Sequence, residues 1–193
     1  MLSAMPTTHD RALPAERLLD AASDLFAREG IRAVGVDRIL QQAKVARASL
    51  YQTYGSKDAL IEAYLRRQDD HDRATYRRTA ARTPDPAQRI LLVFDLAAKA
   101  ARRRDFRGCL YLNAATEFPD ARHPVRSVVR DHRAWLDALW TAALTELGIP
   151  DPAARAAELA VLYDGGLAGS KATRSVAPIL LAKDMAAAVL RTA

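Results

Sequence analysis

The chain of 193 residues has a single cysteine, Cys109, so no disulfide can form within it. One free thiol suits a reducing compartment. Glycine, proline and aromatic residues are all sparse, and alanine and leucine dominate. That mix disfavours strands and favours helices. No run approaches the roughly 18 uncharged apolar residues of a membrane-spanning helix. The opening "MLSAMPTTHDRALP" lacks the basic start and apolar run of a signal peptide. The expectation is a cytoplasmic protein that meets no membrane, with residues 1–10 as a flexible tail. Histidine is scarce as well. His9, His71, His123 and His132 have no companion at H-x-x-x-H spacing. There is no glycine-rich phosphate loop and no G-x-S-x-G elbow. No enzymatic site, metal site or cofactor is therefore expected.

What is present is local. The net charge is +6, yet residues 1–60 carry eight Lys/Arg against seven Asp/Glu. Within that stretch, Arg38, Lys44, Arg47 and Lys57 follow one another with no intervening acid. Basicity concentrated in a small window suits a surface that touches phosphates.

Hydrophobic periodicity predicts an all-α fold of about nine helices. Leu18, Leu19, Ala22, Leu25 and Phe26 mark a helix over 14–29, opened by Pro14 and stopped by Gly30. Short helices follow near 36–43 and 47–53. Three short helices joined by tight turns make a helix-turn-helix unit, residues 11–60. A longer helix starts after Ser56, a good N-cap. Its stretch "RRQDDHDR" (66–73) is polar on every side, which predicts a solvent-exposed bridge, residues 61–82. Asp131 and His132 are likewise expected on a partly solvated face. Residues 83–193 read as a second helical domain. Its last two helices, about 151–169 and 175–191, are rich in alanine, and "GGLAG" adds small residues. Such surfaces allow close packing against another subunit or within the chain.

The stretch "RASLYQTYGSKDAL" (47–60) carries the chemistry. With Leu50 facing inward, Arg47, Ser49, Tyr51, Gln52 and Thr53 remain outside. Arginine reads guanine, glutamine pairs with adenine, and hydroxyls bind phosphate oxygens. Lys57 lies at a helix N-terminus, which also favours a phosphate. The same residues also fit a plain solvated helix face.

The run "VDRILQQAKVARASLYQTYGSKDALIEAYL" (36–65) resembles the DNA-binding signature of TetR-family transcriptional repressors. Leu50–Tyr51, Tyr54 and "SKDAL" are its most specific part, and Phe26 and Gly30 also fit. The resemblance implies base reading from Arg47, Ala48 and Ser49, with Gln52 nearby. It implies phosphate contacts from Tyr51, Thr53 and Lys57, and a core role for Tyr54. The sequence departs from the pattern at three points. Lys44 stands where glycine is usual, Ala46 where a capping serine is usual, and Gly35 where Thr or Ser is usual.

The resemblance further implies a homodimer joined through the two C-terminal helices, bound to a palindromic double-stranded operator. It implies release by a small apolar or amphipathic effector held in the second domain. Phe94, Leu112, Phe118, Trp135, Trp140 and Tyr163 are candidates to line that pocket or simply to fill the core. Asn113 either orients a ligand or satisfies backbone groups. Cys109, after "RRRDFRG", is either a reactive thiolate that senses oxidants or electrophiles, or a buried small hydrophobe. The other competing reading is a helical protein-interaction module with a basic patch.

Overall fold

Pro14 and Gly30 bracket the first helix of the computed structural model, which describes residues 13–191. The expected tail at 1–10 lies outside the described residues. Nine helices and no strand occur among them: α1 (Pro14–Glu29), α2 (Val36–Ala43), α3 (Arg47–Tyr54), α4 (Lys57–Ala80), α5 (Pro86–Ala101), α6 (Leu110–Glu117), α7 (Pro124–Glu146), α8 (Pro152–Thr173) and α9 (Ala177–Val189). Among the described residues no helix is long and apolar enough to cross a membrane.

The caps explain most boundaries. Ser56 accepts from the Ala59 N–H and Asp85 from the Ala87 N–H, so α4 and α5 start where their first-turn amides find side-chain acceptors. Ala46 gives α3 no such bond. Lys44 ends α2 in the left-handed region, φ 53°, a conformation that costs a side chain energy glycine would not lose.

Helix α8 runs four residues past the expected stop at 169. Two of its three glycines, Gly166 and Gly169, pack against α9 and its start. A Cβ on Gly166 would lie 2.9 Å from the Ala182 Cβ, and one on Gly169 would lie 2.9 Å from the Pro178 Cβ. The small residues therefore serve close packing within the chain.

Two main cores form. The first joins Leu18, Leu25, Phe26, Ile39, Leu50, Leu60 and Leu65 of α1–α4 to Tyr111 and Ala114 of α6 and Val125, Val128 and Val129 of α7. The second gathers Tyr76, Ile90, Phe94, Leu136, Trp140 and Leu159 from α4, α5, α7 and α8, with Ala182 and Ala186 of α9. Helix α4 is common to both.

Candidate functional site

Helix α3 buries Leu50 completely and turns its other side outward. Arg47, Ala48, Tyr51, Gln52 and Thr53 are exposed, and Ser49 is half-buried. Tyr54 ends the helix rather than following it, and its hydroxyl donates to the Ala15 carbonyl at 2.9 Å. That bond ties α3 to α1. Lys57 is half-buried, and burial lowers its pKa against the opposing pull of Asp58.

The basic window is less free than its sequence suggests. Arg38 pairs with Glu29 at 2.8 Å, and Arg47 pairs with Asp37. Both acids stand outside the window in sequence, and the fold brings them to it.

The second feature is a half-open cavity of about 710 Å³ lined by α1, α4, α5, α6, α7 and α8. Its wall includes Tyr64, Tyr76, Val93, Ala97, Trp135 and Leu167. Gly30 and Ile31, in the connection between α1 and α2, also face it. Of the pocket residues expected from sequence, Cys109, Asn113, Trp135 and Tyr163 line this space. Phe94, Leu112 and Phe118 are not among its lining residues. Phe94 is fully buried against Trp140 and Tyr163, and Phe118 packs beside His123. Trp140 is core as well.

Asn113 is occupied: its amide donates to the Arg107 carbonyl at 2.9 Å and accepts from Lys171 at 2.7 Å. Cys109 is half-buried at the start of α6. Burial pushes its thiol pKa up, against helix-start amides and Arg133. Of the four arginines before it, Arg103 pairs with Asp105 and Arg107 donates to the Arg28 carbonyl.

The polar stretch 66–73 is exposed at Arg66, Arg67, Asp70 and His71, but not on every side. Asp69 is buried and pairs with Arg73 at 2.8 Å and with His132 at 2.8 Å. Asp72 accepts from the Tyr111 hydroxyl at 2.9 Å and from Gln68 at 2.8 Å. His132 is 5% exposed rather than partly solvated, and stacks on Tyr111 at 3.5 Å and 13°. Asp72 and Asp69 of α4 thus find partners on α6 and α7, which lie 39 and 63 positions along the chain. No local pattern shows this.

Sequence reasoning also missed Glu117. Its carboxylate accepts from the backbone N–H of Arg32 at 2.7 Å and of Ile31 at 3.4 Å. Arg32 returns a bond to the Glu117 carbonyl at 3.1 Å. With Arg107 on the Arg28 carbonyl, α6 and the loop before it grip the α1–α2 connection. The connection that leads from α1 to α2 is therefore hydrogen-bonded to α6 and to the loop before it.

The sequence matches the profile of "Bacterial regulatory proteins, tetR family" over residues 18–64. The crystal structure of a TetR-family transcriptional regulator from Streptomyces coelicolor superposes with a TM-score of 0.84 at 37% identity, covering 93% of this chain and 95% of that one. An HTH-type transcriptional regulator of Mycobacterium tuberculosis is 29% identical over 140 residues, 72% of this chain and 66% of that protein. The transcriptional repressor KstR2 of the same species is 27% identical over 129 residues, 67% of this chain and 64% of that protein.

Proposed function

Because the chain belongs to the TetR family of bacterial regulators, whose members bind DNA and are not enzymes, we propose that it is a homodimeric cytoplasmic repressor that an effector releases from a palindromic operator. In this reading residues 11–60 read DNA, 61–82 link, and 83–193 bind the effector and dimerise. Arg47, Ala48, Ser49 and Gln52 face base edges, and Tyr51, Thr53 and Lys57 face phosphates. Repression is the role named for the relative KstR2.

Dimerisation is supported by apolar surface on the last two helices. Val161 is 73% exposed and Leu181 62%, with Met185 and Leu180 beside it. Large exposed apolar side chains clustered on adjacent helices mark an association surface. Two heads reading successive major grooves must stand about 34–36 Å apart. A ligand that favours another spacing weakens operator binding by its differential affinity for the two states.

The observation that carries the release mechanism is the position of Gly30 and Ile31. They belong to the connection from α1 to α2 and to the wall of the cavity at once. An occupant of the cavity therefore touches the segment from which the reading helices hang.

Sequence selection from random duplex DNA at near-physiological salt tests this reading. A palindrome with half-sites about one helical turn apart is the expected result. No enrichment over the input pool would overturn it and favour the interaction module, whose basic patch would bind an acidic partner.

A further inference from the structure

His132 presents an unused polar atom to the cavity. It lines the space, is 5% exposed, and stacks flat on Tyr111. Its Nδ1 lies 2.8 Å from Asp69 Oδ1, and Arg73 holds the other oxygen of the same carboxylate at 2.8 Å. A carboxylate only accepts, so Nδ1 carries the hydrogen. In the neutral ring Nε2 then keeps a lone pair. Burial lowers the imidazole pKa more than Asp69 raises it, which favours that neutral ring. Nε2 has no hydrogen-bond partner among the described residues, and it is not one of the sealed, unpaired polar atoms. The ring that carries it is part of the cavity wall.

The surroundings set what can meet it. Tyr64, Tyr76, Trp135 and Tyr163 supply flat apolar faces. The charges nearest His132 are already matched: Asp69 by Arg73 and His132, Asp72 by Tyr111 and Gln68. A charged ligand group placed there would lose its water and find no free counter-charge. Of the other Lys, Arg, Asp and Glu side chains in the wall, Lys99, Arg103, Asp105, Arg107 and Lys171 are exposed, and Glu117 is half-buried and taken up by the Ile31 and Arg32 amides.

We propose that the cavity takes a neutral, planar aromatic compound bearing a hydroxyl or N–H group, and that His132 Nε2 accepts that hydrogen. This rests on the cavity being the effector site. The hydrogen bond selects donors against isosteres, since Nε2 is the acceptor and Asp69 fixes its tautomer and direction.

Equilibrium dialysis at pH 7.5 with three probes tests it: 2-naphthol, 2-methylnaphthalene and 2-methoxynaphthalene. The naphthol donates; the methyl compound matches its size; the methoxy compound can only accept. The expected result is that 2-naphthol binds about tenfold tighter than either of the others, the worth of one hydrogen bond to a buried acceptor. In His132→Phe, which keeps a ring on Tyr111, the preference should vanish while 2-methylnaphthalene binds as before. The comparison of probes on the parent decides the matter even if that variant fails to fold. Equal affinity for all three, abolished by the cavity-filling Ala97→Phe, would overturn the role of His132 and leave the cavity as the effector site. Binding by none of them, or binding indifferent to Ala97→Phe, would overturn the cavity reading too.

Discussion

The reading face and the cavity wall are both rich in polar groups, and they hold them in opposite ways. On the face, Arg47 and Arg38 rest against Asp37 and Glu29 in pairs open to water. Such pairs contribute little, typically below about 1 kcal/mol, and are screened by salt. A phosphate or a base edge can replace the acid at small cost. In the wall, each oxygen of Asp69 and of Asp72 has its own partner, and the groups are buried or half-buried. Removing a partner there strands a desolvated charge, which costs more than the bond itself contributes. A surface that must exchange partners keeps its polar groups loosely held. A surface that must hold one geometry saturates them.

Substitutions can break that contrast. Arg47→Ala should cost about 1–3 kcal/mol in operator binding and relax selectivity at one base pair, with little change in urea unfolding. Electrophoretic shift assays on the selected operator and its single-base variants would show it. Tyr111→Phe should do the reverse. It should lower unfolding free energy by about 1 kcal/mol, since Asp72 keeps only Gln68, and leave base selectivity intact.

Acid should separate the regions too. His132 has a folded pKa held below its unfolded value, so the unfolded chain takes up more protons as pH falls. Stability is then full above the unfolded histidine pKa, near 6.5, and declines as pH drops below it. The groups facing this ring are Asp69, Asp72 and Arg73 of α4 and Tyr111 of α6. Thermal unfolding followed at pH 7.5 and 5.5 should show a larger fall for the parent than for His132→Phe. The smallest effect is expected at Asp37→Asn. Freeing Arg47 from an exposed pair should change stability by less than about 0.5 kcal/mol and tighten operator binding a few-fold at low salt.

The same contrast explains what the sequence discloses. Helices α1 to α4 obey nearby signals, with Pro14, Gly30, Ser56 and Gly55 marking their ends, so their bounds follow from the order of residues. Leu50 as the inward position of α3 follows from the same periodicity. The wall obeys distant partners. "RRQDDHDR" has no apolar side, and nothing near it in sequence announces Tyr111 or His132. Phe94 and Phe118 look like Trp135 in a list of aromatics, and only the packing of α5, α6 and α7 sorts core from cavity. Gly166 and Gly169 resemble a helix stop until Ala182 and Pro178 of α9 are seen against them.

The grip of Glu117 on Ile31 and Arg32 spans 85 residues or more of chain. The first core likewise closes only with Tyr111, Ala114, Val125, Val128 and Val129. During synthesis α1–α4 leave the ribosome before α6 and α7, and units often fold as they emerge. Here that unit waits. Until α6 and the first turns of α7 have been made, one side of α1–α4 stays uncovered and the α1–α2 turn lacks its fastening. Helices α1–α4 are translated before the elements that complete their core, so a chain truncated after α4 would carry the whole of α3 on an unfinished support.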